Sequence, residues 1–147
     1  MAFNSITRLR LRSVFSLPAF ARASRAISAQ AAVSEGFISG AILTESWLVF
    51  WTRTAWADEA AMKAFRDSDA HRAAMPKLLN WCDEAMVLDW VGEPDHDWTH
   101  IHARMASEGR TSKVKRPSKA HQERRVAPLR RWSPEQPIAA SKREGAK

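Results

Sequence analysis

The segment ITRLRLRSVFSLPAFARASRAISAQ, from Ile6 to Gln30, decides where the domain begins, because it is rich in arginine and serine and no acidic residue precedes Glu35. That composition is typical of a mitochondrial transit peptide, which would be removed from the mature protein. Arginine and leucine, however, alternate strictly from Arg8 to Arg12. A period of two is typical of a strand, whereas the amphipathic helix of a transit peptide has a period of 3.6. We therefore interpret the segment as part of the fold, beginning with a strand that has one wet face.

A helix and a hairpin are predicted to follow this strand. Pro18 suits the first turn of a helix, and apolar residues recur at helical spacing to about Val33. Two β-prone runs, Phe37 to Thr44 and Trp47 to Trp56, then flank a short polar turn. The predicted order up to this point is strand, helix, strand, strand.

A second helical region and a fourth strand complete the predicted domain. Asp58 and Ser68 are suitable N-cap residues, and Pro76 restarts or kinks the helix. The run EAMVLDWVG, residues 84–92, predicts the last strand. The sequence therefore predicts an α+β domain over residues 1–94, with the βαββαβ order and antiparallel sheet of the ferredoxin-like fold.

The excess positive charge lies at the C-terminal end. The 147 residues have a formal net charge of +7, but residues 1–104 contain 11 Lys and Arg against 12 Asp and Glu, and residues 105–147 contain 12 against 4. We predict a helix over residues 95–109 and a basic tail over residues 110–147, most of it disordered after Val126. Nucleic acid could bind through the arginine pairs of the tail, but a solvated or loosely docked tail is the favoured interpretation.

Cysteine content and hydropathy restrict the cellular compartments that are compatible with the sequence. Cys82 is the single cysteine, so an internal disulfide is excluded, and no apolar run approaches the roughly 18 residues that suggest a membrane span. We therefore expect a cytoplasmic protein that does not enter the membrane. Cys82 is interpreted as a small buried hydrophobic residue and not as a nucleophile.

Both faces of the predicted third strand are apolar, with Val49 and Trp51 on one face and Phe50 and Trp56 on the other. A ferredoxin-like domain places both helices on one face of its sheet and leaves the other bare. Such a bare apolar face is larger than soluble monomers usually expose. The sequence therefore predicts a homodimer in which two sheets pack face to face about a two-fold axis.

The stretch FWTRTAWADEAAMKAFRDSDAHRAAMPKLLNWCDEA, residues 50–85, contains Trp56 before Asp58-Glu59 and Ser68 three residues before His71. These features resemble the antibiotic-biosynthesis-monooxygenase-like branch of the dimeric α/β-barrel superfamily, and the likeness covers about residues 5–92. The motifs EGRTSKV and PSKAH resemble an ending found in uncharacterised bacterial members. The resemblance implies a closed dimeric barrel. It also implies one of three functions: cofactor-independent oxygenation of aromatic substrates, haem degradation, or no known activity.

Four residues form the candidate site. Trp51, Arg53 and Trp56 could line a substrate pocket between sheet and helices, with aromatic walls for a planar ligand. His71, the only histidine before residue 95, is the catalytic candidate for proton transfer, held neutral near a helix N-terminus. Core or interface packing is the alternative for the tryptophans, and a structural hydrogen bond is the alternative for His71. We predict a cofactor-independent monooxygenase-like protein that binds a small hydrophobic or aromatic molecule.

Two alternatives stay open. One is a non-catalytic homodimer, a binding or structural protein whose basic tail engages an acidic partner. The other is haem binding or degradation, which the resemblance links to an asparagine beside the helix histidine, and neither Asn4 nor Asn80 is clearly placed for that role. No metal site is predicted, because the histidines after residue 95 fall mostly on the wet side of the predicted helix.

Overall fold

The computed structural model describes residues 1–130 and 133–141, so the tail residues 131, 132 and 142–147 lie outside the described part. A short 3-10 turn precedes the first helix. The helices and strands are β1 (Ala2–Leu11), α1 (Leu17–Val33), β2 (Phe37–Thr44), β3 (Val49–Trp56), α2 (Glu59–Arg66), α3 (Asp69–Trp81), β4 (Cys82–Gly92), α4 (Trp98–Glu108), β5 (Arg110–Thr111), α5 (Lys119–Gln122) and β6 (Gln136–Ala139).

The strands form one antiparallel sheet in the order β5-β4-β1-β3-β2-β6. Its four central strands, with α1 and the α2–α3 pair, have the order strand, helix, strand, strand, helix, strand. The predicted α+β, ferredoxin-like fold is therefore confirmed. The Asp58 cap is also present, because its carboxylate accepts a hydrogen bond from the Ala61 amide at 2.8 Å.

The α1 face of the sheet, which lies under α1, α2 and α3, has an apolar cluster at each end. At one end Trp56 packs with Phe3 and Phe65, and at the other Phe20 packs with Cys82. Burial raises the pKa of the Cys82 thiol to about 12, which makes it a poor nucleophile at neutral pH. The middle of this face lies between the two clusters.

The opposite face, which we call the α4 face, is covered by this chain's own C-terminal segment. Trp98, Ile101 and Met105 form one side of α4 and are at most 2% exposed. They pack on an apolar surface of the sheet that includes Ile6, Ala41, Leu43, Val49, Trp51, Met86 and Leu88. The expectation of a bare face that needs a second copy is therefore wrong, because the apolar side of α4 covers this face within the same chain.

The first strand differs from its prediction at Arg8, which is not wet, whereas the Arg10 side chain is 41% exposed as predicted for a wet face. Arg8 is 2% exposed and lies on the α4 face, where its guanidinium donates to Glu84 at 2.7 Å. Arg8 also lies over the ring of Trp51, 5.9 Å from the ring centroid. Burial raises the pKa of Glu84, but hydrogen bonds from Arg8 and Ser118 outweigh it and hold that pKa below the usual value.

Described residues of the tail contact the domain, whereas the disorder predicted after Val126 falls in part on residues 131, 132 and 142–147, which lie outside the described part. β5 pairs with β4, and β6 pairs with β2 through Ser39–Ile42. Val114 is buried, and Val126 and Leu129 pack against the cluster on the α4 face. Composition could not indicate this docking, because it depends on backbone pairing at sheet edges that only the folded domain creates.

Across the described ranges, no helix combines the length and the apolar character needed to cross a membrane.

Candidate functional site

A cavity of about 470 Å³ lies between the α1 face of the sheet and the helices α1, α2 and α3. It occupies the middle of this face, between the two apolar clusters. Its volume is within the range of roughly 300–1,000 Å³ that is usual for ligand sites. The cavity is therefore the candidate binding site.

Small polar side chains of β1 and β3 form the middle of the cavity floor, and apolar residues such as Ile42 and Val87 border them. Thr7 of β1 lies directly opposite Thr52 of β3, and Ser5 lies opposite Thr54 two residues further along. All four alternate with the buried residues of the α4 face, as the period of a strand requires. The floor thus presents a band of hydroxyl groups on its two central strands, between aliphatic side chains.

The walls and roof of the cavity are mainly apolar. Phe20 and Ile27 of α1 face it from one helix, and Met62, Phe65 and Leu78 face it from the other two. Ser24 and Ser28 of α1 add two hydroxyl groups to the roof, and Ile138 of β6 closes one side. The site can therefore surround an apolar molecule while offering hydroxyls to its polar atoms.

One end of the cavity is charged and reaches the surface. Arg66, Asp89, Arg110 and Lys113 line this end. Arg110 donates to Asp89 at 2.6 Å, with the Arg110 side chain 64% exposed. Lys113 is also exposed. A small molecule can therefore enter at this end from solvent.

His71 lies in the cavity wall, in the first turn of α3. Its position is fixed by Gln30 of α1, whose side-chain oxygen accepts a hydrogen bond from the His71 amide at 2.8 Å. The same amide group of Gln30 donates to the carbonyls of Phe65 and Ser68. One side chain thus joins α1 to the junction of α2 and α3.

The ring of His71 has a defined tautomer. Its Nδ1 lies 3.1 Å from the carbonyl oxygen of Arg66, which can only accept, so Nδ1 carries the proton. Burial lowers the pKa of His71, so the ring is neutral at pH 7. Nε2 is then the unprotonated nitrogen and can accept a proton or a hydrogen bond. Neutrality was expected from the helix N-terminus, but burial is its main cause.

Trp51 and Arg53 do not reach the cavity. Both lie on the α4 face, where Trp51 is fully buried against Trp98, with ring centroids 6.2 Å apart. The Trp51 indole donates to Glu45 at 2.8 Å, and Arg53 donates to Glu135 at 2.6 Å. Trp51 therefore follows the packing alternative, and Arg53 forms an ion pair outside the cavity.

Trp56 lies on the α1 face, one layer behind the cavity wall. Its ring packs on Phe65 with centroids 4.9 Å apart, and Phe65 packs on His71 at 5.0 Å. The structure thus brings His71 and Trp56 together through Phe65. The sequence reasoning missed the hydroxyl band, although Ser5-x-Thr7 and Thr52-x-Thr54 repeat at the period of a strand.

Comparison with known proteins gives matches among solved structures alone, since no family model and no curated protein matches the chain. A mutant of SnoaB, a cofactor-independent oxygenase from Streptomyces nogalater, is 12% identical with a TM-score of 0.54, over 65% of this chain and 96% of that one. A putative antibiotic biosynthesis monooxygenase from Nitrosomonas europaea is 16% identical with a TM-score of 0.56, over 62% and 89%. A conserved protein from Methanosarcina mazei is 17% identical with a TM-score of 0.56, over 63% and 94%.

The chain has the ferredoxin-like fold of these proteins. The predicted resemblance to antibiotic-biosynthesis-monooxygenase-like proteins is therefore confirmed at the level of the fold. The alignments cover nearly all of each neighbour but about two thirds of this chain.

Proposed function

We propose that this protein binds a small hydrophobic or aromatic molecule in the cavity and oxygenates it without a cofactor, with His71 as the proton acceptor. The observation that carries the proposal is the unprotonated Nε2 of a neutral imidazole in the wall of a 470 Å³ cavity. A neutral imidazole in the wall of a largely apolar cavity can remove a proton from a bound carbon acid.

The proposed reaction uses O2 as the oxidant. His71 takes a proton from an activated CH2 group of the substrate, and the resulting carbanion gives its electrons to O2. The CH2 group becomes a carbonyl, one oxygen atom enters the product, and the other leaves as water. The apolar walls favour the delocalised carbanion of an aromatic substrate, and the floor hydroxyls can donate to the oxygen on which its charge resides.

The haem alternative lacks its expected partner residue. Asn4 donates to the Gly92 carbonyl at 3.0 Å and is 2% exposed on the α4 face, and Asn80 is exposed at the end of α3. Neither belongs to the lining of the cavity as the described residues define it. The asparagine that the resemblance links to haem degradation is therefore not beside His71.

The alternative, in which the basic tail engages an acidic partner, is less well supported than ligand binding in the cavity. Described residues of the tail pack on the domain, including Val114, Val126 and Ile138.

The homodimer stays a prediction. Because α4 covers the α4 face, two copies would have to meet through another surface. Light scattering at micromolar concentration tests it, and a monomer mass would contradict it.

Anthrone is a suitable probe, because its CH2 group is acidified by two rings and a conjugated carbonyl. We expect the wild-type protein to accelerate O2 uptake and anthraquinone formation, and His71→Ala to lose about 100-fold or more of that rate. His96→Ala is the matched control, since His96 is exposed and outside the cavity lining. Unchanged turnover in His71→Ala, with a lowered melting temperature, would assign His71 a structural role and overturn the proposal.

A further inference from the structure

The hydroxyl groups of the cavity have a regular arrangement that the proposed reaction does not explain. The Thr7–Thr52 and Ser5–Thr54 pairs lie on neighbouring strands, two residues apart along each strand. At about 3.4 Å per residue, the two pairs are separated by about 7 Å. Ser24 and Ser28 in the roof are four residues apart on α1, a spacing of about 6 Å. Floor and roof therefore offer hydroxyls at similar intervals.

These hydroxyls are unused by the protein itself. Within the part of the chain that the structure describes, the side chains of Ser5, Thr7 and Thr52 have no hydrogen-bond partner, and neither do those of Ser24 and Ser28. Thr54 contacts the Ser5 carbonyl at 3.5 Å, which is the limit of a hydrogen bond. Because valine and alanine would fill the same positions at no polar cost, the hydroxyls point to a requirement set by the content of the cavity.

We propose that the floor hydroxyls select an aromatic ligand that carries two oxygen substituents about 7 Å apart. This inference rests on the proposed function, since it concerns the same cavity. Each hydroxyl pair can donate to and accept from one oxygen of the ligand, while the apolar walls hold the rings between floor and roof. Thr7, Thr52, Ser5 and Thr54 are thus specificity-determining residues.

The test compares two ligands of nearly equal shape, 2,6-dihydroxynaphthalene and 2,6-dimethylnaphthalene. We expect the wild-type protein to bind the diol about tenfold or more tightly than the dimethyl compound, as measured by titration calorimetry or by naphthalene fluorescence. In the isosteric double variant Thr7→Val/Thr52→Val, the preference should fall to about twofold or less. Thr99→Val, an exposed threonine on α4, is the matched control.

A second variant keeps the test valid if the first one folds poorly. Ser5→Ala/Thr54→Val removes the other hydroxyl pair of the floor, and it should weaken binding of the diol but not of the dimethyl compound. Equal binding of both compounds by the wild-type protein would overturn the inference and leave the proposed function intact. If neither compound binds but anthrone is turned over, the inference alone falls. If anthrone is not turned over either, both fall.

Discussion

The two faces of the sheet are built from the same strands but differ in what their side chains contact. On the α4 face Ile6, Leu43 and Trp51 are at most 1% exposed and pack against α4. On the α1 face their neighbours in sequence are small hydroxyl residues under a cavity, such as Thr7 and Thr52. The difference teaches that one face is packed through its middle, whereas the other is packed at its two ends and leaves a cavity between them.

The largest expected effect concerns ion pairs on the two faces. Glu84→Ala removes a carboxylate that is 7% exposed and leaves the Arg8 guanidinium buried without its partner, so we expect a loss of about 3–5 kcal/mol in the free energy of unfolding. Asp89→Ala breaks a pair with Arg110, which is 64% exposed, and should cost about 1 kcal/mol or less. Urea denaturation measures both values.

A double variant separates charge burial from packing in this comparison. Arg8→Met/Glu84→Met replaces both members of the buried pair by apolar side chains, and it should recover much of the stability that Glu84→Ala loses. Equal costs for Glu84→Ala and Asp89→Ala would contradict the view that the α4 face is the more tightly packed one.

The second comparison uses one substitution on both faces. Ile6→Ala leaves a hole in the packed α4 face, where Ile6 is 1% exposed, and should cost about 2–5 kcal/mol. Ile42→Ala removes atoms that already border the cavity, so fewer contacts are lost, and we expect roughly half that cost. Thermal and urea unfolding of the two variants measure the difference. A larger loss for Ile42→Ala would show that the cavity collapses in solution.

The smallest expected effect is the pH dependence that His71 adds on the α1 face. Burial lowers its pKa in the folded state below the value of about 6.5 in the unfolded chain. Between these two values the unfolded state binds more protons, so stability is lost as the pH falls below about 6.5. The melting temperature of the wild-type protein should therefore fall more between pH 7.5 and pH 5.5 than that of His71→Gln. Parallel curves for the two proteins would mean that His71 is not desolvated.

Local sequence patterns were sufficient for the central fold but not for what covers it. The hairpin of β2 and β3 followed from their β-prone runs, and the Asp58 cap from residue type. The cover of the α4 face could be predicted only in part. The helix over residues 95–109 was predicted, and Trp98, Ile101 and Met105 recur in it at helical spacing, but which surface they cover depends on tertiary packing. The same limit applies to the tail, where pairing of β6 with β2 requires an edge that exists only after folding.

The candidate site was predictable at one residue and not at the others. His71 stood out as the single histidine before residue 95, and the structure places it in the cavity wall. Alternation along β3 already put Trp51 and Trp56 on opposite faces, but the sequence does not say which face the helices leave hollow. Thr7 and Thr52 were overlooked because threonine is common in strands and carries no signal of its own.

The pairing of β6 with β2 has a consequence for aggregation. The eight residues of β2, FISGAILT from Phe37 to Thr44, are uncharged and β-prone, which is the composition of segments that recruit strands from other molecules. β6 occupies the backbone groups of β2 from Ser39 to Ile42. Detachment of β6 would expose this strand edge to neighbouring copies. Pairing with β6 therefore protects β2 from pairing with strands of other molecules.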